Sequence, residues 1–224
     1  MKRVLFALAL LAFGAGSFTT GGAAVKKLSD KPAGPEVAFV QGIQTDLGTR
    51  FATAADAEKA GYFRYSNEDD TGAISYANLQ WTSADAQHPS QLWYDVNGKL
   101  LGADFSVPAT DKLTRPHLWG INPLRWQHFG AHVHYVTTDA SGKPVYGHAT
   151  SVAKFTAAGG NAKDPKPETL VKMGLAKDAS QVKQVFLFPQ VWDLIVWVKP
   201  NPNGAFADKN PLVHPSKNAE TGSM

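Results

Sequence analysis

The chain has 224 residues, a formal net charge of +3 with histidine neutral, 43% hydrophobic composition and no cysteine. The missing thiols exclude cysteine catalysis, disulfide stapling and thiolate metal sites. With no basic run or stripe to neutralise phosphates, nucleic acid is excluded as the expected partner.

The chain opens with Lys2 and Arg3, continues in an apolar stretch from Val4 to Phe13 and then turns small and flexible, the layout of a secretory signal peptide. The stretch is too short to anchor in a bilayer. We expect a signal peptide over 1–24, with cleavage after Ala24 or alternatively after Ser17, and a linker over 25–36. A single domain over 37–200 and a C-terminal arm and tail over 201–224 follow. Losing Lys2 and Arg3 leaves a mature charge of about +1. The expected address is periplasmic or secreted, with no integral membrane anchor after processing.

TAADAEKAG predicts the first helix, with Thr53 as cap, Asp56 in the first turn and Gly61 at the end. AISYANLQWT, 73–82, alternates with a period of two and predicts a strand. In QLWYDVNGKLLGADFSV, Asn97-Gly98 predicts a two-residue hairpin turn. That register sets Tyr94 against Leu101 and Leu92 against Ala103, with Trp93 and Asp104 on the other face. NEDDTG, 67–72, reads as a solvated turn rather than a calcium loop, because it lacks the length and the closing glutamate.

RWQHFGAHVHYV concentrates the chemistry. His132 and His134 project to one side of a regular strand, and His128 joins them if Gly130 is passed without a bulge. DASG predicts a second hairpin turn. A four-residue loop sends His148 to the opposite face, and a shift of one residue sets it against His134. Two such imidazoles suit zinc, copper or iron, with His128, His148 or Asp193 as a third ligand. The alternative is a polar strand face bonded to backbone and water. The His-x-His pair resembles the opening of a cupin motif, but the glutamate that should follow is absent and the chain is not assigned to that family. In LWGINPLRWQHF, Trp119, Arg125 and Trp126 around an Asn-Pro turn suit a small-molecule ligand, with stacking indoles and a guanidinium for an anion. Core packing is the competing role for the tryptophans.

TSVAKFTAAGG, PETLVKMG and DASQVKQV predict three helices. VWDLIVWV, 191–198, is apolar on both faces except at Asp193, so it reads as a covered strand whose carboxylate needs a partner. The segment beyond it is too rich in proline and asparagine to continue the strand. Phe206 predicts that it packs back on the domain or on a second copy, making a homo-oligomer, with Ser216 to Met224 mobile. No G-x-S-x-G elbow, H-E-x-x-H helix, P-loop or dinucleotide glycine pattern occurs.

LWGINPLRWQHFGAHVH and FPQVWDLIVWVKPNPNGAFADKNP, with AISYANLQW and HPSQLWYDVNGKLLGADFSVP before them, resemble a group of uncharacterised exported bacterial proteins. The resemblance covers most of the mature chain. It implies a coherent domain and an envelope address, and it carries over no catalytic residue. The expected fold is α+β, an antiparallel sheet with helices on one side and an extended C-terminal arm. The expected function is binding of a small ligand or divalent metal near the histidine hairpin. A metal-dependent enzyme and a self-assembling envelope protein are the alternatives.

Overall fold

A computed structural model describes residues 28–110 and 114–220. The proposed signal peptide and cleavage sites lie outside these residues. Among the described residues, four α-helices are formed, α1 (Pro35–Arg50), α2 (Ala54–Lys59), α3 (Val152–Ala157) and α4 (Pro167–Lys172). The strands are β1 (Phe63–Arg64), β2 (Ile74–Ala77), β3 (Gln91–Tyr94), β4 (Leu100–Pro108), β5 (Gln127–Phe129), β6 (His132–Thr138), β7 (Pro144–Ser151), β8 (Val182–Phe188) and β9 (Val191–Trp197). They make two antiparallel sheets, one in the order β1-β2-β3-β4-β9-β5 and one in the order β7-β6-β8. None of the described helices is long and apolar enough to cross a membrane.

The fold is therefore sheet-rich α+β, as expected, but it is divided into two sheets rather than one. Alternation along the strands gives each sheet two distinct faces. On the large sheet, Tyr76, Leu92, Phe105, Leu194 and Val196 pack against Val40, Ile43 and Leu47 of α1. On the small sheet, Val133 and Tyr135 pack against Phe155 of α3 and Leu170 of α4. The remaining faces of the two sheets meet through Ala77 and Val191 on one side and Phe186 and Phe188 on the other.

Several local expectations are corrected. The linker over 25–36 ends in helix: Pro35 and Glu36 open α1, where proline's missing N–H costs nothing. The strand over 73–82 stops at Ala77, and Asn78 accepts the Gln80 N–H to start a 3-10 turn. DASQVKQV is a 3-10 turn followed by β8, because Val185 and Leu187 alternate with Phe186 and Phe188 in a period of two.

Both hairpins close by the same five-residue device instead of the expected turns. In DVNGK the Asp95 N–H donates to the Lys99 carbonyl at 2.9 Å and the Gly98 N–H to the Asp95 carbonyl at 2.9 Å. The Asp95 carboxylate accepts the N–H groups of Asn97 and Lys99, both at 2.9 Å. DASGK repeats this at Asp139 to Lys143, and DDTGA repeats it at Asp69 to Ala73. Gly98 sits at φ 71°, which a glycine adopts without strain. Leu92 still faces Ala103, but Tyr94 faces Leu100, so one extra residue is absorbed at Leu101.

Residues beyond β9 fold back on their own chain. The Trp197 indole donates to the Ala207 carbonyl at 2.6 Å, and the Phe206 N–H donates to the Asp30 carbonyl at 3.1 Å. Of the segment expected to be mobile, residues 216–220 are described and touch the domain: the Ser216 N–H donates to Glu68 at 2.7 Å, and Glu220 forms a parallel bridge with Asp69.

Candidate functional site

The facing sides of the two sheets enclose a cleft of ≈ 920 Å³. From the small sheet, β6 contributes His132 and His134. Their neighbours across the strands are Ser151 and Phe188 for His132, and Ala149 and Phe186 for His134. The two Nε2 atoms lie 2.8 Å apart, and His132 Nδ1 lies 2.8 Å from the Gly130 carbonyl. A carbonyl only accepts, so His132 carries its proton on Nδ1 and, when neutral, offers the Nε2 lone pair to the His134 Nε2–H. His134 Nδ1 is then a bare acceptor; it is buried and has no hydrogen-bond partner among the described residues. Burial, with His132 beside it, pushes the His134 pKa down to about 3.

The large sheet supplies carboxylates. Asp104 on β4 pairs across the ladder with Ile195, and Asp193 on β9 pairs with Ser106. The two aspartates are therefore diagonal neighbours on one face. Asp104 is 7% exposed and Asp193 is 4% exposed, and the Oδ1 of each has no hydrogen-bond partner among the described residues. Burial raises the Asp193 pKa to about 7. Asp104 is raised well above its ordinary value, first by burial and then by the charge of Asp193. Nearby, the Tyr65 hydroxyl donates to Gln91 Oε1, and both residues line the cleft. Trp93, Trp197, Phe129 and Phe188 provide aromatic walls.

Of the five residues expected around a metal, the cleft brings together His132, His134 and Asp193. His148 pairs with Tyr135 and stacks on its ring at 5.1 Å, on the opposite face of β6 and β7 from the histidine pair. This register matches neither expected hairpin, because an irregularity between Tyr135 and Thr137 shifts the pairing. His128 pairs with Trp192 and packs edge-on against it at 5.3 Å, on the face of the large sheet away from Asp193. Among the described residues, no group of three or more histidine, aspartate or glutamate side chains is placed to hold one ion.

Trp119, Arg125 and Trp126 do not line the cleft. The Arg125 guanidinium meets Glu36 through two bonds of 2.7 and 2.8 Å, donates to the carbonyls of Ser29 and Lys31, and lies 3.9 Å over the Phe206 ring. The anion expected at this arginine is the chain's own Glu36. Trp126 is 1% exposed, and Trp119 stacks on Phe39 at 5.4 Å, so both indoles are wall.

Sequence reasoning missed Asp104, Tyr65, Gln91 and Trp93 as cleft residues. The hairpin pattern did separate Trp93 and Asp104 from the apolar face, and a carboxylate inside LLGADFSV was the usable signal. No protein-family model, curated protein or solved structure matches the chain.

Proposed function

We propose that the protein is exported and binds a small organic ligand in the cleft between the sheets, beside the histidine hairpin. The observation that carries the reading is the convergence of two desolvated polar pairs, His132 with His134 and Asp104 with Asp193, on one aromatic-walled cleft of ≈ 920 Å³. Small-molecule sites have this composition, with a few fixed polar groups in an apolar wall and a volume of roughly 300–1,000 Å³. Groups already stripped of solvent lose little further solvation when a ligand arrives. Export rests on the N-terminal sequence pattern and on the resemblance to exported bacterial proteins.

The test is a thermal-shift screen of the mature protein beside an Ala149→Phe variant, whose added ring occupies the cleft. Ligands that raise the melting temperature of the parent and not of the variant support the reading. Ligands that act equally on both bind elsewhere and overturn it.

A divalent metal is the second reading, favoured by two Nε2 atoms 2.8 Å apart and by the Gly130 carbonyl that fixes the His132 tautomer. It predicts zinc, copper or iron in untagged protein and loss of that metal in the His132→Ala, His134→Ala double variant. Metal content that is unchanged in the double variant sinks it.

A further inference from the structure

We infer that the cleft selects an organic cation, an ammonium or amidinium group on an apolar or aromatic body, with Asp104 and Asp193 as its charge partners. The inference rests on the cleft being a ligand site and names the chemistry of its occupant.

The charge inventory is one-sided. Asp69, Asp104, Asp193 and Asp208 line the cleft, and no lysine or arginine is among the described residues that do so. An anionic ligand would meet four carboxylates and no fixed cation. Asp69 is committed to its turn, accepting the Thr71 and Ala73 N–H groups, and Asp208 is exposed. Asp104 and Asp193 differ from both: they are more than nine-tenths buried, adjacent on neighbouring strands, and each has an unpartnered oxygen.

The same fold shows how it treats a buried carboxylate that is purely structural. Glu36 is 3% exposed, comparable to Asp193, and it receives a two-bond arginine fork and backbone N–H donors from Ala33 and Asn122. Among the described residues, neither Asp104 nor Asp193 takes part in a salt bridge. A neutral ligand brings no counter-charge and leaves the pair protonated, whereas a cation is the partner that lets it ionise. A hard metal ion asks for six or more oxygen ligands, and no group of even three suitable side chains is placed for one among the described residues. An organic cation brings its own N–H donors for the two carboxylates and an apolar body for the walls. The rings of Trp93, Trp197 and Phe188 add surfaces whose faces attract cations.

The experiment is calorimetric titration of the untagged mature protein with 2-phenylethylamine, 2-phenylethanol and phenylacetate, which share a skeleton and differ in charge. The amine should bind at least about 10-fold tighter than the alcohol, the scale of charge-assisted hydrogen bonds, and phenylacetate should give no binding heat. Asp104→Asn and Asp193→Asn should each weaken the amine about 10-fold and leave the alcohol unchanged, with near-ultraviolet circular dichroism showing the fold retained. If either variant fails to fold, the comparison of amine with alcohol on the parent protein decides. Equal binding of the amine and the alcohol overturns the cation inference and leaves the small-ligand reading standing. Failure of all three compounds, together with a screen that yields no ligand sensitive to Ala149→Phe, overturns both.

Discussion

Glu36 and Asp193 are almost equally hidden from solvent, and their pKa values move in opposite directions. Burial opposes ionisation of Glu36, but the Arg125 fork and the Asn122 and Ala33 N–H groups together hold its carboxyl below the ordinary value. Asp193 is more deeply enclosed by protein, has no cation beside it, and rises to about 7. The difference lies both in depth and in the company each carboxylate keeps. The Glu36 knot ties the start of α1 to the loop before β5 and to the C-terminal segment, whereas the Asp104 and Asp193 pair ties nothing. In a chain that builds a fully satisfied buried carboxylate at Glu36, the unpartnered oxygens of Asp104 and Asp193 support the ligand-site proposal.

The largest effect that can break this comparison is Arg125→Ala. It strands Glu36 in the interior and removes the contacts to Ser29, Lys31 and Phe206. We expect a loss of about 3–5 kcal/mol in denaturant unfolding. A loss below about 1 kcal/mol would show that the knot is not structural.

Replacing Asp193 should do the reverse. Its carboxyl keeps a proton in the fold up to about pH 7, whereas the unfolded chain ionises near the ordinary 3.8. Between these values the folded state binds more protons, so this group's contribution to stability is present at low pH and lost as pH rises. Asp193→Asn should therefore be more stable than the parent by about 4 kcal/mol at pH 8 and nearly equal to it below pH 4. His134 has the opposite sign: its pKa falls from 6.5 to about 3, so its contribution is present above pH 6.5 and lost as pH falls toward 3. His134→Phe should remove this group's share of the acid limb, about 4 kcal/mol, and leave the acid loss that carboxylates with lowered pKa values, Glu36 among them, still contribute. Urea melts of the three proteins from pH 3 to 8 would test both signs, and parallel curves would refute them.

The smallest effect sharpens the contrast at the surface. Asp95 is a carboxylate satisfied by turn N–H groups in the open, so Asp95→Ala should cost about 1 kcal/mol. A thermal melt is sufficient to see it, and an unchanged melting temperature would show that the carboxylate does not hold the turn.

How far these regions were legible in the sequence follows from how local their causes are. The facing of Leu92 and Ala103 could be read because alternation and a nearby turn set it. The bulge at Leu101 could not, because the Asp95 carboxylate rather than Asn97-Gly98 governs the loop. Helix α1 was hidden because Gly42 and Gly48 dilute its spacing of Val40, Ile43 and Leu47, and because its stability comes from packing on strands far along the chain. Asp193 stood out as a carboxylate in an apolar run that needed a partner. Its neighbour Asp104 lies 89 positions earlier, and only the pairing of β4 with β9 joins them. His148 lies on the face away from the pair, the side that the four-residue loop implied, although the exact register is set by an irregularity between Tyr135 and Thr137.

The two sheets are joined by tethers, by hydrogen bonds and by packed rings, and Pro189 and Gln190 between β8 and β9 are one such tether. Only Gly130 and Ala131 lie between β5 in one sheet and β6 in the other, so Phe129 and His132 cannot separate by more than about 11 Å between α-carbons. The Gly147 N–H donates to the Tyr65 carbonyl at 3.1 Å, and the Asn67 amide donates to the Tyr146 carbonyl at 3.3 Å. Phe186 and Phe188 fill the space between Ala77 and Val191. Tethers, a clasp and a rivet of rings leave little room for the sheets to swing. The cleft is thus preorganised: its walls are in place before any guest arrives, and the entropy lost on docking falls on the guest rather than on the host.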